Sequence, residues 1–232
     1  RMLPWYFAAY DGTKTYCFGV KTAPNAFCSW QCGNGKAVLR INIRNGSSDI
    51  VLGGRALKAC TVVSNEYECD AFSALHDFCK LMCDNPRIVK HPIFGGNDWY
   101  CCYGDNSGEK ILRMAERIAE CSPKESLYKP YMVIDDGWQI CHCRRGEGCP
   151  EYNGGPWKLP NGYFGNMKSL AENMKKIGVV PGIWIRPLLT LEKVPEECIL
   201  RRKENRITLD PSSETVLSIV KDDIKRLRDW GY

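Results

Sequence analysis

Residues 38–44 alternate, with Leu39, Ile41 and Ile43 on one side and Arg40, Asn42 and Arg44 on the other, the period of two that a half-buried β-strand requires. Turn signals bracket this run. Gly33-Asn34-Gly35 separates it from a strand over 26–32, and Asn45-Gly46 leads towards another at 49–52. Residues 57–63 continue the meander. The Asn45-Gly46-Ser47 sequon reads as a turn rather than a glycosylation site. A sheet of this kind needs a second layer to bury its face, so residues 1–69 are expected to be the C-terminal part of a β-sandwich. The period then changes. Asp70 is placed to cap a helix running to about Cys83, with Phe72, Leu75, Phe78, Cys79 and Met82 along one stripe and Asp84-Asn85-Pro86 ending it. Residues 70–90 are therefore expected to form a linker helix.

Beyond Pro92 the pattern becomes a repetition of strand and helix. Ile93-Phe94-Gly95-Gly96 leads into Asn97-Asp98-Trp99-Tyr100, and Asn106 with Glu109 suggests a capping box opening a helix with Ile111, Leu112, Ala115, Ile118 and Ala119 on one face. The second unit starts with Tyr131-Met132-Val133-Ile134. A loop of about thirty residues follows, far longer than the usual strand-to-helix connection of about 2–6. Met167, Leu170, Ala171, Met174 and Ile177 then mark a helix closed by Gly178. The third strand is expected at 179–185 and its helix from Asp210-Pro211, with Val216, Leu217, Val220, Ile224 and Leu227 inward and Gly231 as its stop. Tyr232 would open a fourth strand. The fold class is α/β: residues 91–232 read as the first three βα units of a (β/α)8 TIM barrel. A full barrel takes about 250 residues, so its remainder is expected beyond Tyr232. A doubly wound sheet is the alternative, but Gly137, Gly146 and Gly148 do not fall at dinucleotide spacing and no phosphate-loop motif occurs.

Composition narrows the function classes. With 44% apolar and 25% charged residues in 232, the chain is ordinary globular protein. The net charge of +5 is scattered. Its densest basic run, Leu200-Arg201-Arg202-Lys203-Glu204-Asn205-Arg206, is broken by an acid and lacks interleaved aromatics, so it reads as a solvated surface and no nucleic-acid partner is expected. No stretch approaches the roughly 20 apolar residues of a membrane span. The fourteen cysteines are expected to be reduced thiols, several filling apolar positions as Cys79 and Cys83 do, which fits a cytoplasmic location. The chain begins at Arg1, so a leader removed upstream stays open. Cys141-His142-Cys143 with Cys149 offers four zinc ligands in nine residues, but not in the paired Cys-x2-Cys spacing of common structural sites. No metal or other cofactor is expected.

The chemistry concentrates where strands end. In parallel βα folds ligands bind at the carboxyl ends of the strands, and residues 131–134 run directly into Asp135-Asp136-Gly137-Trp138. Neighbouring side chains on a strand point to opposite faces, so both acids reach one ligand only if the strand ends between them, a freedom Gly137 supplies. Ionised carboxylates only accept hydrogen bonds, which points to a polyol or a cation. Trp99, Trp138 and Trp184 each lie at or just past a strand end, where an indole can cover the apolar face of a pyranose. A single Trp there would be read as packing; three with two acids point to a sugar. Arg186 is either a substrate contact or the counter-charge of the acids.

Tyr131-Met132-Val133-Ile134-Asp135-Asp136-Gly137-Trp138, Gly178-Val179-Val180-Pro181-Gly182-Ile183-Trp184-Ile185-Arg186-Pro187 and Asp229-Trp230-Gly231-Tyr232 resemble successive blocks of the melibiase-type retaining α-galactosidases and their raffinose-synthase relatives. Gly95-Gly96-Asn97-Asp98-Trp99-Tyr100 resembles the block on the preceding strand, although Asn-Ser or Asn-Asn is commoner there than Asn97-Asp98. The resemblance runs from about residue 90 onward. It implies that Asp135 and Asp136 hold the C4 and C6 hydroxyls of a terminal galactose, with Trp99 and Trp184 lining the subsite; Asp98, Trp138 and Arg186 are expected to bind substrate as well. It also implies that the nucleophile and the acid/base, both Asp, lie beyond Tyr232, so that the isolated chain is expected to be an inactive fragment of an α-galactoside hydrolase without cofactor. Alternatives on the same scaffold are a hexosaminidase or another α-glycosidase, a galactosyltransferase and a non-catalytic sugar-binding remnant. The alternative from another class is a metal-binding protein built on the cysteine-rich loop. The expected partner is an α-galactoside oligosaccharide, and a homo-oligomer is compatible with the sequence.

Overall fold

The computed structural model describes residues 2–44, 50–142, 154–203 and 206–232. The chain divides into two compact units, Arg1–Val89 and Lys90–Tyr232. The Asn45-Gly46-Ser47 turn, Asp49, the dipeptide Glu204-Asn205, Gly146, Gly148, Cys143 and Cys149 lie outside the described residues.

In the first unit β1 (Met2–Pro4), β4 (Phe27–Gly33) and β5 (Lys36–Asn42) make one antiparallel sheet in the order β1-β4-β5. β2 (Tyr6–Tyr10), β3 (Thr15–Val20) and β6 (Val62–Tyr67) make a second, in the order β2-β3-β6. Phe7 and Phe18 of the second sheet meet Trp30 of the first, with ring centroids 5.3 and 6.4 Å away, so an aromatic layer joins the two. The chain crosses between sheets at Trp5, whose φ is 62° and whose carbonyl accepts from Val20 N–H at 2.9 Å and Trp30 Nε1–H at 3.0 Å. The hairpin between β4 and β5 turns at Asn34 and Gly35, φ 50° and 70°, the positive-φ pair read from the sequence. The strand expected at 57–63 falls later, at β6. Residues 59 and 61 are instead held by backbone bonds from Asn25 and Lys21.

Helix α1 (Ala71–Met82) packs on the second sheet, capped by Asp70, whose carboxylate accepts from Phe72 N–H at 2.9 Å and Ser73 N–H at 3.1 Å. Its buried face is Ala74, Phe78 and Met82, against Cys17. Phe72 and Cys79, placed on the inner stripe from the sequence, are exposed. The reason is Gly19. A Cβ there would stand 2.5 Å from Met82 Sδ and 2.8 Å from Phe78 Cε1, so the bare backbone of β3 seats the helix through those two side chains.

The second unit holds a parallel sheet, β7 (Gly95–Asn97), β8 (Tyr131–Ile134) and β9 (Val180–Ile183), adjacent in chain order. Helices α2 (Trp99–Cys102), α3 (Gly108–Cys121), α4 (Met167–Ile177) and α5 (Glu214–Trp230) belong to the same unit. Ile111 and Ala115 of α3, Met167, Leu170 and Met174 of α4, and Leu227 of α5 close over Met132 and Ile134. Pro181 is tolerated in β9 because donors to one neighbour alternate along a parallel strand: Val180 N–H reaches Pro130 O at 2.8 Å and Trp184 N–H reaches Ile134 O at 2.7 Å, and the odd-numbered Pro181 falls out of that series. Two sequence expectations shift. Helix α3 is capped by Ser107, which accepts from Lys110 N–H at 3.2 Å, not by Asn106, which is buried. Between β9 and α5 the chain adds β10 (Leu189–Thr190), β11 (Ile199–Lys203) and β12 (Arg206–Leu209), an antiparallel sheet in the order β10-β12-β11. Helix α5 consequently starts at Glu214 rather than at Asp210, which instead accepts from Ser212. Val216 and Leu227 of α5 are buried as expected, whereas Leu217 and Ile224 face solvent.

Candidate functional site

The carboxyl ends of β7, β8 and β9 bring together Asn97, Asp98 and Trp99, then Asp135 to Trp138, then Trp184 to Arg186. The half-buried Asp135 is fully oriented by its neighbours. Its Oδ2 accepts from Asn97 Nδ2 at 2.7 Å and its Oδ1 from the backbone N–H of Asp136 at 2.8 Å. Asn97 is itself fixed, because its Oδ1 accepts from Trp99 N–H at 2.8 Å. Asp136 is buried. Its Oδ1 accepts from Gln139 Nε2 at 2.6 Å, and Gln139 Oε1 takes the Gly137 N–H at 3.1 Å, which sets the direction of the amide.

Asp98 is 1% exposed and works as a splint between β7 and β8: its Oδ1 accepts from Asp135 N–H at 2.6 Å and its Oδ2 from Asn106 Nδ2 at 2.7 Å. Burial pushes its carboxyl above the ordinary range, against the opposing pull of the Asp135 N–H and the Asn106 amide. Asn106 also donates to Asp136 O at 3.1 Å, so one buried amide ties the end of β8 to the segment leading into α3. Gly137, φ +121°, completes the turn. A Cβ there would lie 2.3 Å from Asn106 Oδ1 and 2.7 Å from Gly104 O, and Gly137 O accepts from Asn161 Nδ2 at 2.6 Å.

The indoles divide by position. Trp99 and Trp184 are half-buried at the edge; Trp99 meets Tyr103 edge-on at 5.8 Å, and Arg186, exposed, lies over the Trp184 ring at 5.5 Å. Trp138 is fully buried, its ring 5.6 Å from Trp157 and 6.1 Å from Trp230, and its Nε1–H donates to Trp184 O at 2.9 Å. It is a strut beneath the edge rather than a wall of it. A groove of 430 Å³ lined by Gly96, Asn97, Met114, Ile118 and Met132, among others, runs along α3; of its lining residues Asn97 alone also bonds one of the acids.

Asn106, Gln139, Asn161 and Trp157 complete the site without having been singled out for it in the sequence. None follows a periodic pattern; the readable signal is a concentration of amide side chains flanking the Asp-Asp-Gly turn. Among the described residues no group of three or more His, Cys, Asp or Glu side chains is arranged to hold a metal ion, and burial pushes the Cys141 thiol up, away from thiolate. No described helix is long and apolar enough to cross a membrane.

A parallel βα sheet with carboxylates, amides and indoles gathered at its carboxyl edge is the class of site that can accept hydrogen bonds from a polyhydroxylated ligand and cover its apolar face. No family model matches the chain, and neither does any curated protein. Solved structures do. TtGalA, the α-galactosidase from Thermus thermophilus solved with p-nitrophenyl α-D-galactopyranoside, aligns with a TM-score of 0.64 at 18% identity over 100% of this chain and 44% of that one. The GH36 α-galactosidase AgaB from Geobacillus stearothermophilus aligns at 0.59 and 17% over 97% of this chain and 33% of that one. The galactosidase domain of the α-galactosidase-sucrose kinase AgaSK gives 0.59 and 18% over 99% and 36%. The chain thus has the mixed sheet-and-helix fold of GH36 α-galactosidases and spans less than half the length of each.

Proposed function

We propose that this chain is part of a glycoside hydrolase acting on terminal α-galactosides, and that the carboxyl edge of β7-β8-β9 is its galactose subsite. The observation that carries the reading is Asp135, a half-buried carboxylate at the end of β8 held in one orientation by Asn97 and the Asp136 backbone, beside Trp99 and Trp184. Asp135 and Asp136 take sugar hydroxyls, the indoles line the subsite, Arg186 borders it, and Asp98 and Trp138 support it from below. Strands β7, β8 and β9 are the first three of a (β/α)8 barrel, and Arg1–Val89 carries the end of a β-sandwich. TtGalA binds a nitrophenyl galactoside or stachyose in its solved complexes, and a doubly substituted AgaA of Geobacillus stearothermophilus is solved with raffinose, which supports galactosides as the ligand class.

Retaining hydrolysis requires two carboxyl groups about 5–5.5 Å apart, one as nucleophile and one as acid/base. Asp135 and Asp136 are assigned to recognition of the sugar hydroxyls, and the reacting pair to other carboxyl groups of the complete gene product. The test is hydrolysis of an aryl α-galactoside and of raffinose by the complete gene product. Asp135→Ala should lower kcat/KM by about 2–4 kcal/mol of transition-state binding, the worth of one or two charge-assisted hydrogen bonds. A gene product inactive on both substrates removes the α-galactoside assignment, and an unchanged kcat/KM in Asp135→Ala removes the subsite.

A further inference from the structure

Beside Asp136 stands a group that the site described so far does not use. His142 N–H donates to Gln139 O at 3.1 Å, a turn that carries the imidazole back over the Asp-Asp-Gly segment. The ring packs against Gly104, φ +84°, where a Cβ would come 2.8 Å from His142 Cε1 and 3.0 Å from Nε2. Its side chain is 6% exposed and that of Asp136 5%, with His142 Nδ1 3.5 Å from Asp136 Oδ1. Both ring nitrogens are buried, and neither has a hydrogen-bond partner among the described residues.

A buried imidazole without partners is costly, because it has given up its water and received nothing in return. The bland explanation is that the ring fills space under Gly104. Two features argue against mere filling. Nδ1 faces a carboxylate at a separation that a movement of about 0.6 Å would turn into a normal hydrogen bond. Among the described residues that carboxylate has a single hydrogen-bond donor, Gln139, on Oδ1. A single amide contact leaves the carboxylate plane free to rock about that bond; a second donor on the same oxygen from another direction would stop it.

We propose that His142 is a positioning residue for Asp136. It presents Nδ1–H to Oδ1, closes on it when a sugar fills the edge, and with Gln139 holds Oδ2 towards the hydroxyls of the galactoside. This rests on the reading of the edge as a galactose subsite. Gly104 is part of the device, since any side chain there would displace the ring.

The test is calorimetric binding of galactose to the complete gene product, together with the ring ¹⁵N spectrum of His142. The His142 signals are assigned as those lost in His142→Phe. His142→Phe keeps the volume and removes both nitrogens; it should weaken galactose binding about 5- to 20-fold, the worth of one charge-assisted hydrogen bond. His142→Asn, whose Nδ2 stands near the place of Nδ1, should recover most of that loss. In the wild type the spectrum should show Nδ1 protonated, and Asp136→Asn should shift that signal. Equal binding by His142→Phe and wild type, an Asn variant no better than Phe, or a signal indifferent to Asp136→Asn each overturns the proposal. If Asp135→Ala abolishes binding while His142→Phe leaves it unchanged, the positioning role fails and the subsite survives. If the wild type binds no galactose, both fail.

Discussion

Replacing Asp98 by Ala probes how the two strand ends are held together. The carboxylate takes the Asp135 N–H at 2.6 Å and Asn106 Nδ2–H at 2.7 Å from a position 1% exposed to water. Removing it strands the Asp135 N–H outright. It strands Asn106 only in part, because the same Nδ2 still reaches Asp136 O at 3.1 Å. Counting a full desolvation penalty for the first donor and half for the second gives about 2–4 kcal/mol. Relief of the buried carboxyl, whose burial raises its pKa, offsets some of this, so the expected loss is about 2 kcal/mol. That is a large share of a stability of about 5–15 kcal/mol. The assay is urea unfolding followed by the fluorescence of Trp138, Trp157, Trp184 and Trp230, all in the second unit. The midpoint should fall with an unchanged m-value. A loss below about 0.5 kcal/mol, the range of an inert surface change, would refute the splint.

The same residue predicts a pH dependence. The folded pKa of Asp98 is raised above 3.8, so the native state keeps a proton the unfolded chain has released. Its contribution is fully present below pH 3.8 and is lost as pH rises through the folded value. Asp11, Asp70 and Asp210, whose pKa values are lowered by hydrogen bonds, act with the opposite sign, so the test compares the wild type with Asp98→Asn: the variant's urea midpoint should lose the downward slope above pH 3.8, and an identical slope counts against the reasoning. Gly137→Ala should cost about 2–5 kcal/mol from positive-φ strain plus overlap with Asn106 and Gly104, measured by the same unfolding; a neutral result would mean the turn is not constrained as described. Gly19→Ala should cost about 1–3 kcal/mol by pushing Met82 and Phe78 off β3, and adding Met82→Ala should cost less in that background than alone; strict additivity would deny the contact. Tyr232→Phe should lose about 1 kcal/mol with the hydroxyl bond to Met167 O, and no change would make that bond dispensable.

Local chemistry made several elements readable without tertiary information. The Asn34-Gly35 hairpin, the Asp70 cap, the Gly178 and Gly231 stops and the inward face of α4 depend on backbone dihedrals and helical spacing, both properties of neighbouring residues. The strand running into Asp135-Asp136-Gly137 was legible for the same reason. The fate of each polar side chain was not. Asn106 looks like a helix cap in sequence and is instead the buried tie between Asp98 and Asp136, because Ser107, one residue later, satisfies the helix. Trp138 shares a motif with the two acids, yet its ring turns into the core towards Trp157, Trp184 and Trp230, residues up to 92 positions away.

Phe72 and Leu217 illustrate the limit from the other side: helical periodicity identifies an apolar stripe but not which part of it meets a neighbour. That was decided for α1 by the missing Cβ of Gly19, a feature of another element. The sheet β10-β12-β11 went unread because strands of two to five residues carry too few alternations to stand out from a loop. The sequence alone thus determined where chains of local bonding begin and stop, and that two carboxylates arrive at a strand end. Which of them is held open by Asn97, which is shut in with Gln139 and His142, and what supports both from below are matters of contact between distant segments, so only the tertiary structure decided them.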